Sequence, residues 1–259
     1  MRKRILALIV LVLYFWLCTL DNNSKYEPKV DCKVVTETTS LVPDDSAAFY
    51  KFTQNYDTWL DGVVTVAYDQ ELILGDEHYH LNSFYAEDDY FSIAKPNYTL
   101  DVLGNKACLT TDKSTSGFEP ITDNNREFIN NNNLRNNVLK TVEDTLVFLR
   151  TNPNLCVKNV HDTFEVTCCS HTEDLLTLKP NPIADIADWE VYVNGNSTSI
   201  LMTITYTYNI QTETKSEKFT YCVTKTPGGV NTIQRTKCDD YNKQVSFTNV
   251  YESLFNEGD

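Results

Sequence analysis

The stretch ILMTITYTYNI, residues 200–210, decides the fold class. Ile200, Met202, Ile204, Tyr206 and Tyr208 alternate with Thr203, Thr205 and Thr207. A period of two places the apolar side chains on one face of an extended chain and the hydroxyls on the other, the signature of a half-buried antiparallel strand. Segments with the same chemistry lie on both sides of it: VVTVAY (63–68), ELIL (71–74), TFEVTC (163–168), WEVYVN (189–194) and KFTYCVTK (218–225). Valine, threonine and the aromatic residues fit a pleated surface, so the chain reads as all-β.

One segment breaks the pattern. Leu134, Val138, Val142, Leu146 and Leu149 recur at spacings of four and three, which paints one stripe of a helix. Asp123 is a candidate cap for its start, but the Asn-rich stretch before Leu134 is a poor helix former, so the expected accessory helix spans about 134–149. Pro153 ends it, Pro180 and Pro182 mark an exposed connection, and PGG at 227–229 reads as a turn inside a hairpin.

The N-terminus is of a different kind. MRKR precedes sixteen mostly apolar residues, 5–20, and then the polar DNNSKYEP. That order describes a secretory signal peptide over residues 1–20, with the run shorter than the roughly twenty residues that cross a bilayer. The remainder, 21–259, is expected to be one secreted, soluble β-domain. The whole chain carries a net charge of −14; without Arg2, Lys3 and Arg4 it holds 19 basic against 36 acidic residues, or −17. So acidic a chain is a poor partner for nucleic acid or anionic membrane and attracts basic proteins.

Export implies an oxidising compartment, in which the seven remaining cysteines, Cys32, Cys108, Cys156, Cys168, Cys169, Cys222 and Cys238, should mostly form disulfides. Seven is odd, so at least one is unpaired or joins a second chain, and the vicinal Cys168 and Cys169 are the natural place for it. Zinc is a weaker reading, because no CxxC pair occurs. Sequons at Asn97 (NYT) and Asn196 (NST) fit a glycoprotein.

Catalytic motifs are scarce. His78 and His80 would share a strand face with Asp76 nearby, yet two imidazoles without a definite third ligand are more often surface residues. Ser170 beside His171 has no nucleophile-elbow context, and eight glycines provide no phosphate loop. No enzyme activity, cofactor or metal is therefore expected. Acids offer the better lead: Asp44, Asp45, Asp69, Glu71, Asp76, Glu77, Glu87, Asp88 and Asp89 all fall within the first ninety residues, interleaved with Tyr85 and Tyr90 among other tyrosines. Tyrosine supplies contact area at low entropic cost, so this set is the candidate grip on a basic partner. FYAEDDYF, 84–91, is its densest part and admits a plainer reading, in which Phe84 and Phe91 enter the core and the acids face water. Tyr90 is also a candidate for sulfation.

VDCKVVTETTS (30–40), NKACLTTDK around Cys108, LCVKNVHDTFEVTCCSHTED around Cys156 and Cys168, and YCVTKTPGGVNTIQRTKCDDYNKQVSFTNVYESL with Cys222 and Cys238 fall in the order seen in the secreted poxvirus immune-evasion domain, the family of viral CC-chemokine inhibitors, which the chain resembles. The resemblance implies a disulfide-stapled β-sandwich, ending in an apolar-aromatic strand, that captures a host chemokine or related basic cytokine through an acidic face and blocks its receptor contact. The family's long acidic loop is here only SLVPDDS, so the main acidic contact is expected elsewhere. A second resemblance is to viral histocompatibility-like decoys: VVTVAYDQELILGD looks like a platform strand pair, and Cys168, Trp189 and Cys222 sketch an immunoglobulin domain with a Cys168–Cys222 disulfide.

Overall fold

The computed structural model describes residues 31–32, 46–151, 156–160, 163–170, 186–210, 213–227, 230–231, 238 and 245–255. The expected signal peptide, Asp44, Asp45, and Pro180 with Pro182 lie outside them. The all-β, disulfide-stapled antiparallel architecture is present. β1 (Asp31–Cys32) and β13 (Val230–Asn231) form a two-stranded ribbon. The remaining strands are β2 (Thr65–Leu74), β3 (Glu77–Glu87), β4 (Tyr90–Lys95), β5 (Tyr98–Leu103), β6 (Lys106–Thr110), β7 (Glu119–Pro120), β8 (Cys156–Val160), β9 (Thr163–Ser170), β10 (Ile186–Gly195), β11 (Ser199–Ile210) and β12 (Glu213–Thr224). They pair as one eleven-stranded sheet in the order β7-β6-β5-β4-β3-β2-β12-β11-β10-β9-β8.

Alternation sorts the side chains into two faces. Met202 pairs with Tyr221 and Val193, Tyr221 with Tyr68, Tyr68 with Phe84, Phe84 with Ile93, Ile93 with Leu100 and Leu100 with Leu109. All of these are buried, and one continuous core joins them to the helices α1 (Ser46–Gln54), α2 (Tyr56–Leu60), α3 (Asp123–Asn132), α4 (Arg135–Thr151) and α5 (Phe247–Ser253). α4 carries the expected stripe, with Val138, Val142, Leu146 and Leu149 buried. It runs from Val63 and Val64, whose carbonyls accept from the Arg135 guanidinium at 2.9 and 3.0 Å, to Trp189, against which Phe148 packs at 5.6 Å.

Two expectations need correction. The Asn-rich segment is helical after all, as α3, capped by Thr122 rather than Asp123: the Asn125 side chain accepts from the Thr122 backbone N–H at 2.8 Å. Buried Asn132 joins it to the sheet by accepting from the Tyr98 hydroxyl at 2.7 Å. Residues 247–253 form helix α5 instead of a closing strand, with Phe247 and Val250 as its buried side. β13 pairs with β1; Gly228 and Gly229 of the expected PGG turn lie outside the described residues.

The other face is polar and largely half-exposed, with Thr203, Thr205, Thr207 and Thr220 along β11 and β12. Both disulfides among the described residues lie on it. Cys32 is joined to Cys222 and Cys108 to Cys238, which removes the Cys168–Cys222 bridge that the histocompatibility-like reading requires. Cys222 and Cys108 stand in one row across the sheet, through Ala67, Tyr85, Ser92 and Asp101, five strand spacings or about 24 Å apart. Cys168 pairs with Val191, Cys169 with Glu190 and Cys156 with Thr167; their side chains lie outside what is described. Among the described residues no helix is long and apolar enough to cross a membrane.

Candidate partner-binding site

The structure divides the acidic candidates among three places. Asp76 and Glu77 sit at the β2–β3 turn, and Glu87, Asp88 and Asp89 at the β3–β4 turn. Glu77 and Glu87 begin and end β3, ten residues or about 33 Å apart, so the two turns cannot form one patch.

Asp69 and Glu71 lie between them, in the strand. A bulge arranges their neighbours: Gln70 faces Asn82 and Glu71 faces His80, leaving Leu81 as the extra residue. An inserted residue reverses the alternation beyond it. Ser83, Tyr85 and Glu87 after the bulge therefore share the polar face with His78 and His80 before it. His78 Nδ1 lies 2.9 Å from Glu71 Oε1 and His80 Nδ1 3.4 Å from Asp69 Oδ2. The Ser83 hydroxyl donates to Asp69 at 2.7 Å, and Lys218 Nζ is 3.8 Å from Glu71. Burial raises the Asp69 carboxyl above its ordinary range, opposed by the Ser83 bond and by His80. These two acids are held within the protein's own network. The imidazoles do share a face as expected, but with Asp69 and Glu71 and not Asp76; among the described residues no group of three or more ligating side chains could hold a metal.

The β3–β4 turn is different. Phe84 and Phe91 are buried on the helix side, while Asp88 and Asp89 are exposed at the tip. Asp88 adopts φ 48°, in the left-handed region that aspartate tolerates better than most side chains. The tip is fastened from three sides. The Tyr90 hydroxyl donates to Asp101 at 2.8 Å, the Tyr85 hydroxyl donates to Glu87, and the Gly104 N–H donates to the Asp89 carbonyl at 2.9 Å. The Tyr85 and Tyr90 rings meet at 6.0 Å. Burial first, then the bond to Glu87 and the charges of Glu87 and Asp88, push the Tyr85 hydroxyl well above its usual range and keep it a donor.

Two features escape a linear reading. Asp101, only 1% exposed, is the buried carboxylate that receives Tyr90, and its partner comes from a strand eleven residues away. Exposed Asp57 and Asp61 on and just after α2 stand at the same end of the sheet, because Val63 and Val64 lead directly into Thr65, which pairs with Glu87. Of the sequons, Asn196 lies in the β10–β11 turn at this end, its side-chain carbonyl accepting from Thr198 and Ser199, and Asn97 lies in the β4–β5 turn at the opposite end. No family model matches the chain, and no curated protein matches it.

Proposed function

We propose that this chain is a secreted viral immunomodulator that binds a basic host chemokine or related cytokine through the β3–β4 tip and blocks its receptor contact. One observation carries the reading: exposed Asp88 and Asp89 are presented on a turn already fixed by Tyr85, Tyr90 and Gly104. A preordered loop loses little entropy when it engages a partner, so more of its electrostatic attraction appears as affinity. Asp57 and Asp61 add negative charge at the same end, and the net charge of −14 supplies a field that speeds the encounter with a cation-rich surface. The two disulfides fit an extracellular setting. The resemblance to viral CC-chemokine inhibitors points to the same class of ligand, with the tip as the replacement for the shortened acidic loop. Occlusion alone suffices; no turnover is needed.

The test is surface plasmon resonance against a broad panel of basic chemokines over a salt series. Binding should weaken steeply with salt, and Asp88→Lys with Asp89→Lys should reduce affinity about tenfold or more, or roughly 1.4 kcal/mol. No binding to any member at low salt refutes the chemokine assignment. Binding that survives the double reversal moves the site elsewhere.

A further inference from the structure

The tyrosines differ in how far their hydroxyls are open to another molecule. Tyr90, the residue that sequence singles out for sulfation, is half-buried, and its hydroxyl donates to the buried Asp101 carboxylate at 2.8 Å. An acceptor phenol must meet the donor sulfur directly, so Tyr90 is closed to a transferase in the folded protein. Tyr79 is the opposite case. It is 44% exposed and is the one exposed tyrosine among the described residues.

Its placement follows from the strand. Tyr79 is the third residue of β3, follows closely on the turn at Gly75 and Asp76, and pairs with Leu72 of β2. β2 and β3 run on past β4, which pairs with β3 over Ser83–Glu87, so that strand does not flank the hairpin end. Alternation sets Tyr79 on the face opposite His78 and His80 and on the same face as Glu77. The Tyr79 hydroxyl donates to the Glu77 carboxylate, and Asp76 is exposed at the adjoining turn. That bond and the Glu77 charge raise the phenol above its usual range, so the unmodified side chain is neutral at neutral pH. An enzyme that handles an anionic phosphosulfate donor presents an electropositive cleft, and Asp76 and Glu77, just before Tyr79, draw this hairpin end towards it.

We propose that Tyr79 is the acceptor for O-sulfation by a tyrosine sulfotransferase of the secretory pathway, with phosphoadenosine phosphosulfate as the sulfuryl donor. The phenol oxygen forms the new bond to sulfur, the bond between sulfur and the donor's phosphate oxygen breaks, and the phenol proton passes to a base of the transferase. The ester replaces a neutral hydroxyl by a permanent anion on an exposed ring, at the end of β3 opposite the acidic tip. The proposal rests on the export part of the proposed function and not on chemokine binding. Two arms test it. The purified folded chain is incubated with tyrosylprotein sulfotransferase and radiolabelled phosphoadenosine phosphosulfate; separately, the full chain is secreted from cultured mammalian cells with and without chlorate, which blocks donor synthesis. A phosphatase-resistant gain of one SO3 should map to Tyr79 in both arms and be lost with chlorate. Tyr79→Phe alters an exposed side chain, so it should remove the label with the melting temperature unchanged. Asp76→Asn with Glu77→Gln should slow labelling about tenfold. The proposal is overturned if the purified enzyme does not label the folded chain at Tyr79, if the label maps to other tyrosines alone, or if the chain reaches the medium without the ester. Labelling at Tyr79 by the purified enzyme of a chain that never leaves the cell keeps Tyr79 as the acceptor and refutes export instead.

Discussion

The two faces of the sheet are held by different means. The helix side is a hydrophobic core in which Phe84, Ile93, Leu100, Ile204 and Leu146 are almost wholly removed from water. The polar side buries little apolar area, and its order comes from two disulfides, the Tyr90–Asp101 bond and the Asp69–His80 and Glu71–His78 pairs. Burial is non-directional and tolerates drift, whereas bridges and charged hydrogen bonds fix particular atoms. The contrast suits a binding protein, because the side that fixes positions also carries the tyrosines that fasten the acidic tip.

Substitutions on each side can break or sharpen that contrast. Phe84→Ala on the helix side should have the largest effect, about 3–5 kcal/mol in chemical denaturation, since it opens a cavity in a close-packed core. Replacing Cys108 and Cys238 together by serine should cost about 2–4 kcal/mol while leaving far-ultraviolet circular dichroism of the sheet in place. A greater loss from the double serine variant than from Phe84→Ala would reverse the assignment of forces to faces. Tyr90→Phe deprives buried Asp101 of a donor and should cost about 1–3 kcal/mol; under the proposed function it should also reduce chemokine affinity as the tip loosens.

A pH titration reports a smaller effect. The folded state binds the Asp69 proton more tightly than the unfolded chain does, so the stability from this group is present in acid and is lost as pH rises through the raised value. Melting temperatures of the parent and Asp69→Asn, followed from about pH 3 to pH 6, should show this component in the parent and its absence in the variant. Smallest of all, Asp88→Gly relieves a positive φ and should change stability by no more than about 0.5–1 kcal/mol, in the stabilising direction, while still weakening partner binding through the lost charge.

Much of the core was legible in sequence because alternation is a local property. Ile200 to Tyr208 specify which side faces inward without reference to any other strand, and the stripe from Val138 to Leu149 does the same for α4. Position across the sheet is not local. Nothing near Gln70 announces that Leu81 will bulge and carry His78 and His80 onto the face of Asp69 and Glu71. Likewise, Cys32 reaches Cys222 across 190 residues, a pairing that spacing alone leaves among many. The helices at 46–60 and 247–253 were missed because aromatic residues such as Phe49, Tyr56, Trp59 and Phe247 have strand-like propensity, and packing against the sheet overrides it. For the site, residue composition singled out the tip, but only strand register separated it from the internally paired acids.

The disulfides have one more consequence, for survival among proteases. The bridges run from residue 32 to 222 and from 108 to 238, so their loops overlap without either enclosing the other. A single backbone cut anywhere between Cys32 and Cys238 therefore leaves every fragment covalently tied to the rest. Cuts between Cys108 and Cys222, the interval that holds β7 to β11, leave fragments joined by both bridges. Limited digestion should give an undivided band on a non-reducing gel and separate fragments only after reduction, so a nicked molecule would remain one molecule until its bridges are reduced.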